Sequence, residues 1–130
     1  MSRWLIEEAL RRHGISDPVK LESHLLACEL EHPIVEELLD NGTIIDVWVA
    51  DGREPGKYAA PQGSQPEELA ITPEGRHLES FRLIQPLRVV RCIAAPFPVG
   101  KVPGVGGTGG GTQFIMPPNW LMAVERVAHD

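Results

Sequence analysis

The apolar positions change period near residue 43. Before that point they recur at helical spacing. Trp4, Leu5, Ala9 and Leu10 fall on one face of a helix that Ser2 caps and Gly14 ends. Asp17-Pro18, a capping residue followed by proline at the first helical position, opens a second helix through Leu21, Leu25, Leu26, Cys28 and Leu30. His32-Pro33 breaks it and starts a third, which closes at Asn41-Gly42.

After residue 43 the pattern is that of strands. "TIIDVWVA", residues 43 to 50, is β-branched and reads as a strand. Residues 51 to 66, rich in Gly, Pro and Gln, read as a loop with Tyr58 near its middle. "ELAIT" reads as a short strand and residues 72 to 77 as a turn that carries Arg76. "ESFRLIQ" alternates as a half-buried strand does, Pro86 interrupts, and "LRVVRCIAA" is an interior strand. Residues 96 to 111, with three prolines and seven glycines, read as a long irregular loop. "TQFIM" is a strand and "PPNWLMAVERV" a terminal helix. Helices first and strands afterwards is an α+β order. The expected fold is α+β, with N-terminal helices packed on a small, mostly antiparallel β-sheet. It forms a single domain over residues 1–130, helical over 1–42 and β-rich over 43–130.

Composition narrows the function. The 130 residues are 42% hydrophobic and 23% charged, ordinary for a globular chain. A formal charge of −6 argues against a nucleic-acid binder that works by neutralising phosphates, and Arg82, Arg88 and Arg91 are the only candidates for a local basic patch. No apolar run is long enough to span a membrane. Glu7 and Glu8 interrupt the segment where a signal peptide needs an unbroken apolar core. Cys28 and Cys92 read as reduced core residues. His13, His24, His32, His77 and His129 show no ligand spacing, so no metal site is expected. Glu36-Glu37 and Glu67-Glu68 read as solvated charge.

The chemistry concentrates at "GTGGGTQF", residues 107 to 114. No Lys-Ser/Thr follows the glycines, so this is not a phosphate-binding P-loop. A strand, not a helix, leaves it, so it is not a dinucleotide fingerprint. Two readings stay open: a flexible surface loop, or a loop whose glycines let a ligand approach the backbone. Gln113, the polar residue opening the next strand, is correspondingly a solvent-facing strand residue or a ligand-facing one.

Three segments in one order carry a resemblance. They are "GKYAAPQGSQPEEL" (56–69), "FRLIQPLRVVRCIAAPF" (81–97) and "GGGTQF" (109–114). Together they resemble the tuberculosis necrotizing toxin domain family of NAD glycohydrolases over roughly residues 45 to 128. The resemblance implies hydrolysis of NAD+ or NADP+ to nicotinamide and ADP-ribose, with no metal and no cofactor. It implies Gln113 as a catalytic residue that orients the ribose or the attacking water. Tyr58 would pack on the nicotinamide or ribose, and Arg53 would grip the diphosphate. Ser64, Gly110, Gly111 and Thr112 would complete substrate binding. The family's histidine falls on Glu79, with His77 two residues away, so both enter as catalytic candidates. The substrate would lie between the Arg53–Tyr58 loop and the Gly106–Gln113 loop, with Arg76 outside the cleft. The resemblance further implies an immunity protein as partner, and a chain either cytoplasmic as written or delivered into a target cell within a larger toxin. The alternatives are a catalytically degenerate interaction module on the same scaffold, favoured by Glu79 and by the long "FPVGKVPGV" link, and a toxin acting on RNA.

Overall fold

The structure is a computed structural model that describes residues 3–25, 28 and 33–128. Ser2, Leu26, Leu30, His32 and His129, which enter the expectations above, lie outside the described residues. Helix α1 (Arg3–Arg12) packs Leu5, Ala9 and Leu10 inward as expected, but Ile6 takes the buried place expected of Trp4, which is 58% exposed. Gly14 ends it at φ 84°, donating to the Arg11 carbonyl. Helix α2 (Pro18–Leu25) is capped by Asp17, whose Oδ1 accepts from the Val19 N–H at 3.2 Å.

Among the described residues nine strands follow: β1 (Val35–Leu39), β2 (Ile44–Ala50), β3 (Tyr58–Pro61), β4 (Arg76–Leu83), β5 (Leu87–Ile93), β6 (Phe97–Val102), β7 (Val105–Gly107), β8 (Thr112–Ile115) and β9 (Val124–Val127). Seven form one antiparallel, curled sheet in the order β1-β5-β8-β3-β2-β4-β9, and β6 and β7 pair with each other. The fold is therefore α+β, helices first and an antiparallel sheet after.

Alternation along each strand sorts the side chains between two faces. One face carries a core built on Ile45, Val47, Val49, Phe81, Leu83 and Phe114, closed by Trp120 edge-on to Phe81 at 5.3 Å. On the other face, α1 and α2 pack Ile6, Leu10, Leu21 and Leu25 against Val90, Cys92 and Ile115. That covers only the β5–β8 half. Over β3, β2 and β4 the same face is left to the candidate site.

Several expected elements are corrected. Residues 35 to 39 form strand β1, not a third helix. Pairing Glu36 with Val90 and Glu37 with Val89 satisfies the free edge of β5 instead. The terminal "helix" is a single 3-10 turn, Trp120–Ala123, started by Asn119 at φ 62°, and then strand β9, which pairs Val127 with Ser80 and Val124 with Leu83. "ELAIT" is a 3-10 turn over Pro66–Leu69, ended by Ala70 at φ 57°; only Ile71 makes a β-bridge, to Val105. Tyr58 lies in strand β3, held by both β2 and β8, not in a loop. Residues 97 to 107 form a hairpin whose Val102-Pro103-Gly104-Val105 corner has proline and glycine where a type II turn requires them, Gly104 at φ 79°.

The basic-patch candidates are neutralised along the sheet. Arg88 pairs with Glu36 at 3.6 Å, Arg91 with Glu37 at 3.1 Å and Arg82 with Glu125 at 3.1 Å. No helix among the described residues is long and apolar enough to cross a membrane.

Candidate active site

The glycine run is a packing seam. It threads between the 3-10 turn and residues 94 to 96. The Gly109 N–H donates to the Glu67 carbonyl (3.0 Å), Gly110 to Ala94 (2.8 Å) and Gly111 to Glu68 (2.9 Å). A Cβ on Gly109 would stand 2.6 Å from the Pro96 nitrogen and 2.7 Å from the Ala94 oxygen. Gly110 and Gly111 thus spend their amides inside the protein and do not line the cavity, and Thr112 pairs with Ile93 at the start of β8. Gly109→Ala combines a left-handed φ of 67° with a clash against the backbone of residues 94 to 96. We expect it to cost about 2–4 kcal/mol in urea denaturation. Gly63→Ala, at φ 89° with nothing within 4 Å, serves as control and costs about 1 kcal/mol.

What the seam does is aim β8. Gln113 lies opposite Cys92 in the β5–β8 ladder, and its side chain points to the face that carries Ile115, Tyr58 and Asp46. That face holds a cavity of about 530 Å³, of a size that suits a nucleotide-sized ligand. Its floor is β2, β3 and β4. Its roof is the β6–β7 hairpin with Phe97, Val102 and Val105, fixed by Thr72 N–H to the Gly104 carbonyl and Gly106 N–H to the Ala70 carbonyl.

Tyr58, Gln113, His24, Lys57, Trp48 and Arg76 line the cavity together with the carboxylates of Asp46 and Glu54. Gln113 is 7% exposed, and its amide nitrogen lies 3.4 Å from both Cys28 Sγ and Cys92 Sγ. The Tyr58 hydroxyl lies 2.8 Å from His24 Nδ1, with the two rings stacked at 6.1 Å. Burial, followed by the nearby cysteines, pushes the phenol well above its ordinary range. It stays protonated and shares a hydrogen bond with the imidazole, whose tautomer sets which of the two donates. Burial, then the Lys57 charge, lowers His24, and burial lowers Lys57. Lys57 lies 5.4 Å from the Tyr58 ring centre. The Met116 N–H to Lys57 carbonyl bond (2.7 Å) and the Trp120 Nε1 to Gly56 carbonyl bond (3.0 Å) hold this corner in place.

Because the His24 pKa is lower folded than unfolded, the unfolded chain takes the proton first as pH falls. The stability from neutral His24 is complete above its ordinary value of 6.5 and is lost as pH drops through the folded value. The thermal midpoint is therefore expected to fall as the pH drops below about 6.5, and to fall less in His24→Gln.

Arg76 and Trp48 carry the polar argument furthest. Among the described residues, the buried side-chain polar atoms without a hydrogen-bond partner are Trp48 Nε1 and Arg76 Nε. Both residues line the cavity. Arg76 is braced by weaker contacts, Nη2 to the Gly104 carbonyl at 3.3 Å and Nη1 to the Trp48 carbonyl at 3.5 Å. A buried donor left unsatisfied costs about 1–3 kcal/mol, more when charged, and an anionic ligand relieves that cost.

The other sequence candidates lie elsewhere. His77 and Glu79 belong to the opposite face: Glu79 stands across from Val47, a residue of the core on that face. His77 bonds Asp51 and Glu79, each at 2.8 Å, and Glu79 also pairs with Arg126. Arg53 is exposed in the bend after β2 and does not line the cavity. Ser64 Oγ donates to the Pro61 carbonyl at 2.7 Å within a turn that Asp46 fixes through the Gly63 N–H. Arg76, expected in a turn outside the cleft, is in β4 and inside it. Continuing the alternation of "ESFRLIQ" back from Ser80 to residue 76 was the signal that could have found it. For Trp48 and His24 only the pairing of strands and helices reveals the position. Cys28 and Cys92 are buried and free, as expected, but their sulfurs face each other. Among the described residues no group of three or more His, Cys, Asp or Glu side chains could hold a metal ion.

This fold is shared with solved proteins. One is Tse6, solved in complex with Tsi6: TM-score 0.74 at 22% identity, covering 98% of this chain and 96% of that one. Another is Rhs1-CT, solved in complex with its cognate immunity protein RhsI1: TM-score 0.51 at 17% identity, covering 75% of this chain and 80% of that one. These likenesses establish the fold. No protein-family model and no curated protein matches the chain.

Proposed function

We propose that the chain is a toxin-type NAD(P)+ glycohydrolase that cleaves the nicotinamide–ribose bond. The observation that carries this reading is the cavity wall, where Gln113 and Tyr58 share one sheet face with Arg76 and Trp48. The fold shared with Tse6 and the motif resemblance support it. Nicotinamide leaves as a neutral group, so the reaction needs no strong acid. The demands are to hold the dinucleotide, keep bulk water out and place one water against the oxocarbenium-like ribose. Arg76 and Trp48 Nε1 suit the diphosphate, Tyr58 the ribose or nicotinamide face, and the Gln113 amide the ribose or water. Lys57 adds positive potential in a chain of net charge −6. An immunity protein, of the kind seen with Rhs1-CT, is the partner this reading implies.

The second reading, a non-catalytic interaction module, draws on the position of Glu79, which engages His77 and Arg126 away from the cavity. Incubating the purified chain with NAD+ in the presence of a chelator separates the two. Nicotinamide accumulating in step with loss of NAD+ supports the hydrolase. Undiminished NAD+ leaves the interaction module.

A further inference from the structure

A second chemistry lies behind Gln113. Cys28 and Cys92 are 64 residues apart in sequence, yet their Sγ atoms lie 3.1 Å apart and both side chains are buried. Strand pairing brings them together. Cys28 forms an antiparallel bridge with Ala94, and Cys92, two residues earlier on that chain, faces the same side. Closing to a bonded sulfur–sulfur distance takes a movement of about 1 Å. The hydrogen bond between the two thiols lowers the Cys28 thiol and raises Cys92, the latter helped by burial. Cys28 is thus the better nucleophile and Cys92 the resolving thiol.

We infer that Cys28 and Cys92 are a modification site that closes to a disulfide when the chain folds in an oxidising thiol–disulfide pool. The Cys28 thiolate attacks one sulfur of a low-molecular-weight disulfide such as oxidised glutathione, breaks its S–S bond and expels one thiolate. Cys92, giving up its proton, attacks the Cys28 sulfur of the mixed disulfide and expels the second. The two protons lost by the cysteines end on the two expelled thiolates, and the two electrons reduce the small disulfide to two thiols. Burial makes exchange in the folded chain slow, so the bond forms as the chain folds and is afterwards shielded from reductant. It would clamp residue 28 to the strand beside Gln113, whose amide nitrogen touches both sulfurs. This inference does not depend on NAD+ turnover.

The test refolds denatured, reduced protein in a glutathione redox buffer or in excess reductant, then alkylates it under denaturing conditions and weighs it. The expected oxidised sample has lost two hydrogens and takes no alkyl group, while the reduced sample takes two. The oxidised chain should also melt higher, by on the order of 10 °C for a loop of this length. Cys28→Ser/Cys92→Ser should melt alike in both buffers. If that variant does not fold, the wild-type masses decide alone. Two alkylated thiols, or glutathione adducts, in the oxidised sample overturn the inference, as does a disulfide that leaves the melting midpoint unchanged.

Discussion

Gln113→Ala should lower NAD+ turnover on the order of a hundredfold while the protein stays folded. The side chain lines the cavity and also touches the Cys28 and Cys92 sulfurs, so a melting curve accompanies the assay. It is nearly fully buried, β8 is paired on both sides, and the glycine seam fixes the strand's approach. Removing the amide takes away a group proposed to position ribose or water, so kcat should fall more than KM rises. Gln113→Glu, close in shape, separates positioning from simple cavity loss. It keeps a hydrogen-bond acceptor but places a carboxylate beside two buried thiols, and should recover little. Turnover in Gln113→Ala equal to wild type, with an unchanged melting curve, removes Gln113 from the site.

Arg76→Ala should weaken ADP-ribose binding by roughly tenfold to a hundredfold in calorimetric titration, the range expected for loss of charge-assisted hydrogen bonds to phosphate. Arg76→Lys should recover only part of it, because an ammonium does not reproduce a planar two-point grip. Arg53→Ala should bind as wild type does, since that guanidinium is exposed and outside the cavity. The comparison reverses the assignment suggested by the motif alone. Because Arg76 also contacts the Gly104 carbonyl under the hairpin, a melting curve must accompany the titration. Wild-type affinity in folded Arg76→Ala, or weakened affinity in Arg53→Ala, contradicts the placement of the diphosphate.

The strands whose alternating or β-branched pattern is long enough to stand alone were legible: β2, β4, β5 and β8. The missed ones are explained by what they pair with. "VEELL" has a helix-favouring composition, and the free edge of β5 outweighs it. "VERV" is pulled into the sheet by β4 through the Arg82–Glu125 and Glu79–Arg126 pairs. Tyr58–Pro61 holds two alanines and ends in proline, so neither β-branching nor alternation marks it. At the site, Gln113 and Tyr58 could be picked out by motif. Which neighbours join them depends on parity across paired strands. Position 79 faces one core and positions 76 and 80 the other side, a one-residue distinction that separates Glu79 and His77 from Arg76. The glycines could be located but not interpreted, because the carbonyls that occupy their amides come from residues 67, 68 and 94.

The hydrolase reading is tested most directly by mass spectrometry of NAD+ incubated with the wild-type chain in water enriched in heavy oxygen. Hydrolysis at the nicotinamide–ribose bond should yield unlabelled nicotinamide and ADP-ribose carrying one heavy oxygen on its anomeric carbon. Intact NAD+, or a ribosyl product without the label, would contradict it.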